Sequence, residues 1–421
     1  MAALTVSGTV RVPGDKSISH RALILATLAS GRSRIRGILD SEDVRSTAVV
    51  LHALGAPIGE LTDEMTVTGV GLRGLRQTAR ALDCGNSGTT TRLMAGVVAA
   101  HPFITRFEGD ASLSRRPMKR IAEPLSYMGA QFEFARGDGL PMTIHGVDLR
   151  SIDWDTRASS AQVKSAILLA GLVSGVEVRV TEKSPSRDHT ERMLRSMGVD
   201  VENDRNQVCL RPIRQISAID INVPADPSSA AFFIALASLA SEGEVVLEEV
   251  CLNPTRTGFL EAMKRMGARV ETVAATETGG EAVGSLRVMP SRLKSIKVGE
   301  SEVPSLIDEL PLLACTAAAA NIDLEITGAE ELRVKESDRI NTVVQNLRAV
   351  GAEAKELPDG LRVMGTNREL AGDVDPRGDH RIAMAFGILS AASGNRIRVR
   401  NPECVAVSYP GFWDDLRRVS A

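Results

Sequence analysis

The residues best equipped for chemistry are cations and small polar groups at the starts of otherwise apolar segments. Lys16, Ser17 and Arg21 open one such segment, and Asn86, Ser87 and Thr89 open another. Ser159, Ser160 and Gln162 stand at a third, Asp308 at a further one, and His380 and Arg381 at the last. A buried helix starting this way presents free backbone N–H groups and the positive end of its dipole. Several such starts converging on one place make an anion site. Ordinary N-capping explains any single Ser or Asp. It does not explain Lys16, Arg21 and Arg381 at the heads of apolar helices.

Other chemistries are excluded by spacing. Gly14-Asp15-Lys16-Ser17 lacks the GxxxxGK[ST] spacing of a nucleotide P-loop. The run from Asp83 to Thr89 is glycine-rich and precedes a helix, but has no GxGxxG. The six His show no HExxH spacing, and no GxSxG elbow is present. In the run Leu332 to Arg339, Lys335 and Arg339 share one face if the segment is helical, with Glu336 between them. A solvated charged face is the ordinary expectation for such a run.

The elements that must position these groups repeat six times. Apolar helices are expected at Ser17–Ser30, Ser87–Ala100, Ser160–Ser174, Pro227–Ser241, Ser305–Ala320 and Arg381–Ser393. Each is apolar nearly all round, which marks a buried helix. Strands follow, including Val176–Val180, Glu244–Glu248, Ile322–Ile326 and Arg396–Arg400. Amphipathic second helices then end alike, at Leu54-Gly55, Met128-Gly129, Met197-Gly198, Met266-Gly267 and Val350-Gly351. Glycine after the last turn is the usual left-handed stop. Stops about 70–85 residues apart are too long for a common solenoid and fit six βαβαβ-type units, three in each of two domains. The strand Leu4–Val12 is expected to pair with the C-terminal domain. That predicts chain crossings near 13 and 226, with one domain of 14–226 and another of 1–13 plus 227–421.

Bulk properties agree. At 421 residues, 43% apolar and 24% charged, the chain suits two globular domains. Aromatics are only 3%, so the core must be aliphatic and small. A net charge of −3 gives no general basic field for nucleic acid, so positive charge must be concentrated in a site. The five Cys, at 84, 209, 251, 315 and 404, are widely spaced with no CxxC, as expected of reduced cytoplasmic thiols. Met1–Val12 reads as a strand and not as a signal peptide. No uninterrupted apolar run of ~18 residues predicts a membrane span.

Taken together, the ordered segments resemble one family across nearly the whole chain. They are Gly14 to Arg21, Leu82 to Thr90, Ser114 to Met118, Ser160 to Ser165, Arg333 to Arg339, and Asp379 to Arg381. The set is similar to the 5-enolpyruvylshikimate-3-phosphate synthases. That resemblance implies an α/β (α+β) fold, an inside-out α/β barrel of two domains, each with three βαβαββ repeats and buried helices. It implies transfer of the carboxyvinyl group of phosphoenolpyruvate to the 5-hydroxyl of shikimate 3-phosphate, in a cleft between the domains. By the same resemblance, phosphoenolpyruvate is held by Lys16, Gly88, Arg116, Gln162, Arg339 and Arg381. Shikimate 3-phosphate is held by Lys16, Ser17, Arg21, Ser159, Ser160, Gln162, Arg187, Asp308 and Lys335. Asp308 is the expected base, Glu336 the proton shuttle, and Lys16 a participant in either transfer. No metal or organic cofactor is required, and a monomer in the cytoplasm suffices. A methyl group at Gly88 is expected to reduce sensitivity to glyphosate.

One departure from the family is visible: Val405 to Tyr409 lacks the Lys that some members carry there. A sister transferase acting on UDP-N-acetylglucosamine typically has Lys-Asn where Lys16-Ser17 stands, and a Cys where Ala111 to Pro117 has none. A non-catalytic phosphate sensor is the remaining alternative. It gains nothing from carboxylates beside an anionic ligand.

Overall fold

A computed structural model describes residues 4–156, 159–394 and 396–420. The chain divides into two compact units. One comprises Gly14–Val223 with Glu277–Glu281; the other comprises Met1–Pro13, Pro224–Thr276 and Ala282–Ala421. The division thus falls three residues before the expected 226/227 boundary. A short hairpin tip, 277–281, also groups with the 14–223 unit. Within that unit His189 Nδ1 and Glu281 Oε1 lie 2.7 Å apart, both buried. Arg192 donates to the Gly280 carbonyl at 3.1 Å.

One construction rule recurs in three of the sheets. Two parallel strands are joined through a buried helix, and the chain then returns through an antiparallel strand. In the 14–223 unit Ile152–Asp155 runs parallel to Val178–Thr181, which pairs antiparallel with Gln207–Leu210. Leu82–Asp83, Ile104–Glu108 and Met142–His145 repeat the pattern. The third sheet is completed from the far end of the segment: Asp220–Asn222 lies parallel to Arg32–Arg36, itself antiparallel to Glu64–Thr68.

The other unit has the same logic. Thr5–Val10 runs parallel to Glu242–Cys251. Ile296–Val298 and Leu324–Ile326 are parallel, followed by antiparallel Gly360–Met364. Gly372–Val374 pairs with Ile397–Val399.

The six buried helices are Lys16–Leu28, Gly88–Ala99, Ala161–Ser174, Pro227–Leu239, Leu310–Ala320 and His380–Ala392. Their side chains are buried on nearly every face, as uniformly apolar sequence requires. Small residues allow very close approach. A Cβ on Gly96 would lie 2.2 Å from the Ala166 carbonyl oxygen, so the second and third helices meet backbone to backbone. The amphipathic helices that follow cover the sheets with one face. Five of them end on Gly55, Gly129, Gly198, Gly267 and Gly351, all at positive φ, between +84° and +124°. The sixth, Phe412–Val419, packs Phe412 edge-on against Phe232, ring centroids 5.5 Å apart.

The fifth apolar helix departs from expectation. Ser305–Ala320 is not continuous: Val303–Leu306 is followed by a 3-10 turn at Ile307–Glu309 before Leu310–Ala320 begins. Pro311 explains the break. Its ring would clash with the carbonyl four residues back in a continuous helix, but it is tolerated in a first turn. By length and composition Val303–Ala320 could cross a membrane, yet 61% of the window is buried inside the protein.

Candidate active site

In the 14–223 unit, Asp15 caps the first helix by accepting from Ile18 N–H at 2.8 Å. Lys16, the first helical residue, donates its Nζ to Asp43 Oδ2 at 2.9 Å. One turn on, Arg21 is buried and held on three sides. Its Nε donates to Thr190 Oγ1 at 2.7 Å, Nη2 to Ser165 Oγ at 2.8 Å, and Nη1 to the Ser17 carbonyl at 2.9 Å. Burial lowers its pKa to about 10, opposed first by the charge of Glu191. It therefore stays cationic at neutral pH. Arg187 is close enough to act on it electrostatically.

The second and third helices bring Gly88, Arg116 and Gln162 together. Ser87 caps by accepting from Thr90 N–H at 3.2 Å. Gly88 turns its bare Cα toward two guanidiniums: a Cβ there would stand 3.2 Å from Arg116 Nη1 and 3.4 Å from Arg92 Nη1. Arg116 donates to Asn86 Oδ1 at 2.7 Å. Arg92 donates to Gln162 Oε1 at 2.5 Å, and Gln162 Nε2 donates to Thr89 Oγ1 at 3.0 Å. Arg92 did not figure among the expected residues. Its signal was an arginine one turn into an apolar helix, the same anomaly that singled out Arg21. Ser159 and Ser160 precede the third helix, and the backbone N–H of Ser160 donates to Glu182 Oε1 at 3.2 Å.

The other unit gathers Asp308, Lys335, Glu336, Arg339 and Arg381. Arg339 is the hub, with a side chain 1% exposed. It donates Nε to Asp379 Oδ2 at 2.8 Å, Nη2 to Glu336 Oε2 at 2.6 Å, and Nη1 to Asp308 Oδ1 at 3.3 Å. Burial alone would lower its pKa; the charges of Asp379, Glu336 and Asp308 outweigh that and raise it. The second Asp308 oxygen lies 3.6 Å from Arg381 Nη2. Arg381 Nη1 lies 3.6 Å from the buried Glu309, to which Ser228 Oγ donates. Asp379, besides bonding Arg339, caps the sixth buried helix by accepting from Arg381 N–H at 3.0 Å. Lys335 has its pKa lowered by burial, with the Asp308 charge opposing first.

Two expectations about this run are corrected. Lys335 and Arg339 do not share a helix: Glu330–Val334 is a 3-10 turn, Lys335 is extended, and the α-helix begins at Arg339. The Asp338 carboxylate sets that start by accepting from Asn341 N–H at 3.0 Å. Nor is the run a solvated charged face, since Arg339 is buried among carboxylates. Asp379, singled out only as part of its segment, and Glu309, not singled out at all, are buried carboxylates beside Arg339 and Arg381 respectively. Among the described residues no group of His, Cys, Asp or Glu could hold a metal ion.

His20 bears on how this site tolerates acid. It is buried, with Nδ1 2.7 Å from Thr47 Oγ1, in a polar chain continuing to Thr90 Oγ1 at 2.6 Å. Burial first, then the charges of Lys16 and Arg21, hold its pKa well below 6.5. The unfolded chain therefore takes up this proton near 6.5 while the folded protein refuses it. Stability is full above that pH and falls below it, by at most about 1.4 kcal/mol per pH unit for one histidine. Thermal unfolding midpoints should drop from about pH 7 to about pH 5.5, and His20→Gln should flatten the drop. Identical pH slopes for both proteins would remove His20 from this account.

The architecture has a counterpart among solved structures. An enolpyruvyl transferase from Streptomyces tendae, NikO, has this fold with a TM-score of 0.77 at 18% identity, over 99% of this chain and 95% of that one. Within that class the chain belongs to the EPSP synthase (3-phosphoshikimate 1-carboxyvinyltransferase) family, whose profile matches residues 2–416. A 3-phosphoshikimate 1-carboxyvinyltransferase of Sulfurihydrogenibium sp. (strain YO3AOP1) is 48% identical over 421 residues, 99% of this chain and 97% of that protein. EPSP synthase from Acinetobacter baumannii matches with a TM-score of 0.86 and 40% identity, over 99% of this chain and 96% of that one. The family resemblance read from the motifs is borne out.

Proposed function

We propose that this chain transfers the enolpyruvyl group of phosphoenolpyruvate to the 5-hydroxyl of shikimate 3-phosphate, releasing phosphate in the route to aromatic amino acids. The observation that carries the reading is the Asp308 carboxylate, one oxygen on Arg339 and the other beside Arg381, with Glu336 on the same Arg339. An anion-binding protein needs the arginines. Proton transfer gives the carboxylates beside them a chemical use.

The reaction adds and then eliminates. Asp308 takes the hydroxyl proton as that oxygen attacks C2 of phosphoenolpyruvate, while Glu336 delivers a proton to the C3 methylene. The product is a tetrahedral ketal. In the second half both reverse roles: Glu336 removes a C3 proton, the C2–O bond to phosphate breaks, and Asp308 returns the hydroxyl proton to the departing phosphate, whose remaining charge the cations neutralise. Lys16 shares one of these transfers. Arg116, Arg339 and Arg381, with Gly88 and Gln162, receive phosphoenolpyruvate; bidentate guanidiniums suit its carboxylate and phosphate. Ser17, Arg21, Ser159, Ser160, Arg187 and Lys335 receive shikimate 3-phosphate. The reading takes the enzyme as a monomer of the cytoplasm, and the net charge of −3 supplies no general basic field for nucleic acid.

Phosphate release from phosphoenolpyruvate that depends on shikimate 3-phosphate tests the reading. Dependence on UDP-N-acetylglucosamine instead, or binding of both substrates without release, would overturn it.

The bare Gly88 supports a sharper expectation. A methyl group there presses on Arg116 and Arg92 by a few tenths of an ångström at contacts of 3.2 and 3.4 Å. Gly88→Ala should weaken glyphosate inhibition by roughly tenfold or more, about 1.4 kcal/mol, and raise the KM for phosphoenolpyruvate less. Inhibition kinetics giving equal glyphosate affinity for the two proteins would refute this.

A further inference from the structure

One buried cluster of charge in the 14–223 unit takes no part in the proton transfers. Lys164 is the charged residue inside the apolar helix Ala161–Ser174. Its side chain is 2% exposed, and its Nζ lies 2.8 Å from Glu182 Oε2 and 2.9 Å from Glu191 Oε1. The two carboxylates are 2% and 0% exposed. Burial lowers the Lys164 pKa, but Glu191 and Glu182 more than offset this and raise it above the ordinary lysine value. Three buried charges are costly to desolvate, and apolar residues of similar volume would often hold a core together as well. The cluster therefore asks for a purpose beyond packing.

Its hydrogen bonds supply one. The Glu182 carboxylate spans two loops, accepting from Ser160 N–H at 3.2 Å and from Ser186 N–H at 3.1 Å. Lys164 donates to the Ser186 carbonyl at 3.3 Å. The same loops are joined again where Ser159 Oγ donates to the Ser184 carbonyl at 2.6 Å and accepts from Ser184 N–H at 2.9 Å. Glu191 sits on the helix His189–Ser196, beside the Thr190 that accepts from Arg21 Nε. Ser159, Ser160, Arg187 and Arg21 are thus all set, directly or through one neighbour, by this cluster.

We propose that Lys164, Glu182 and Glu191 are positioning residues that hold the 159–160 and 184–187 loops and Arg21 in the geometry that grips the phosphate of shikimate 3-phosphate. The proposal rests on the substrate assignment above. Its content is selectivity: disturbing the cluster weakens recognition of the phosphate on the acceptor substrate and spares phosphoenolpyruvate.

Glu182→Gln tests it, because the amide replaces one acceptor oxygen with a donor that faces an N–H or the ammonium. Steady-state kinetics should show the KM for shikimate 3-phosphate rising about tenfold or more, with kcat and the KM for phosphoenolpyruvate changed less than about twofold. Unphosphorylated shikimate, titrated as a probe, should bind both proteins equally. Glu182→Asp, which keeps the charge, should fall between. A merely structural cluster would instead weaken all three ligands together, and that result, or an unchanged KM for shikimate 3-phosphate, overturns the proposal. If the Gln variant does not fold, the Asp variant decides by the same selectivity. Turnover by the unmodified protein is measured first: its absence overturns the functional reading itself, whereas turnover with unselective variants overturns only the positioning role.

Discussion

Glu336→Gln leaves both substrates bound and removes nearly all turnover. The side chain keeps its length and an amide oxygen able to accept from Arg339 Nη2, where the carboxylate now sits at 2.6 Å. Arg339 keeps Asp379 at 2.8 Å and Asp308 at 3.3 Å, so the arginine that receives phosphoenolpyruvate stays in place. What disappears is the group that gives a proton to C3 and takes one back. General acid–base catalysis is worth about 10²–10⁴ in rate, so kcat should fall by that factor while both KM values move only a few-fold. Near-wild-type kcat would show that another group, Lys16 or Asp308, carries the C3 proton. A kcat loss accompanied by a large rise in the phosphoenolpyruvate KM would instead assign Glu336 a purely electrostatic part, through Arg339.

A large effect on stability is expected at Gly96, where two buried helices meet. A Cβ there falls 2.2 Å from the Ala166 carbonyl oxygen and 2.8 Å from the Ala166 Cα. Both obstructing atoms are backbone, so no rotamer change relieves the clash; the two helices must separate. Overpacking commonly costs about 1–3 kcal/mol, and a backbone obstacle places Gly96→Ala at or above the upper end. Gly171, on the helix Ala161–Ser174 that Gly96 meets, offers an internal control. There the added Cβ meets Val178 methyl groups at 2.7 and 2.9 Å, side-chain atoms, and the nearest backbone atom, the Val176 oxygen, stands at 3.3 Å. Thermal unfolding should therefore show a clearly larger fall in midpoint for Gly96→Ala than for Gly171→Ala. Equal midpoints would mean that the helix pair yields as easily as a side chain. The same displacement would move Gly88 and Gln162 at the heads of these two helices, so the variant that folds should also lose affinity for phosphoenolpyruvate.

These two cases illustrate what could be read in advance. The six buried helices were legible because they are apolar on every face. The five glycine stops were legible because only glycine readily takes the positive φ found at Gly55, Gly129, Gly198, Gly267 and Gly351. The break at 307–309 is also written in the chain, at Pro311, within an apolar run whose composition alone reads as one continuous helix. The helix start at Arg339 needed Asp338 to be recognised as a cap, and the charge on Lys335 and Arg339 suggested a continuous face. Partnerships between distant residues lay further out of reach. Arg339 with Asp379, and Lys164 with Glu182 and Glu191, are set by tertiary packing. A single sequence displays such residues only as isolated charges. The anomaly that could have flagged Lys164 and Arg92 is the one that flagged Arg21, a long cation within an apolar helix.

The way each unit completes its sheets has a consequence for synthesis on the ribosome. Thr5–Val10 is synthesised more than 200 residues ahead of its parallel partner, Glu242–Cys251. At elongation rates of about 5–20 residues per second, that strand waits on the order of 10–50 s for its partner. Asp220–Asn222 closes the sheet begun by Arg32–Arg36, so the 14–223 unit also cannot finish until almost its whole length has been made. The N-terminal strand, with Val6 and Val10 fully buried in the finished protein, spends that interval as an unpaired apolar edge. Nascent chains stalled before residue 242 should therefore be engaged by holdase chaperones at their N-termini, and released once the strand Glu242–Cys251 has cleared the exit tunnel.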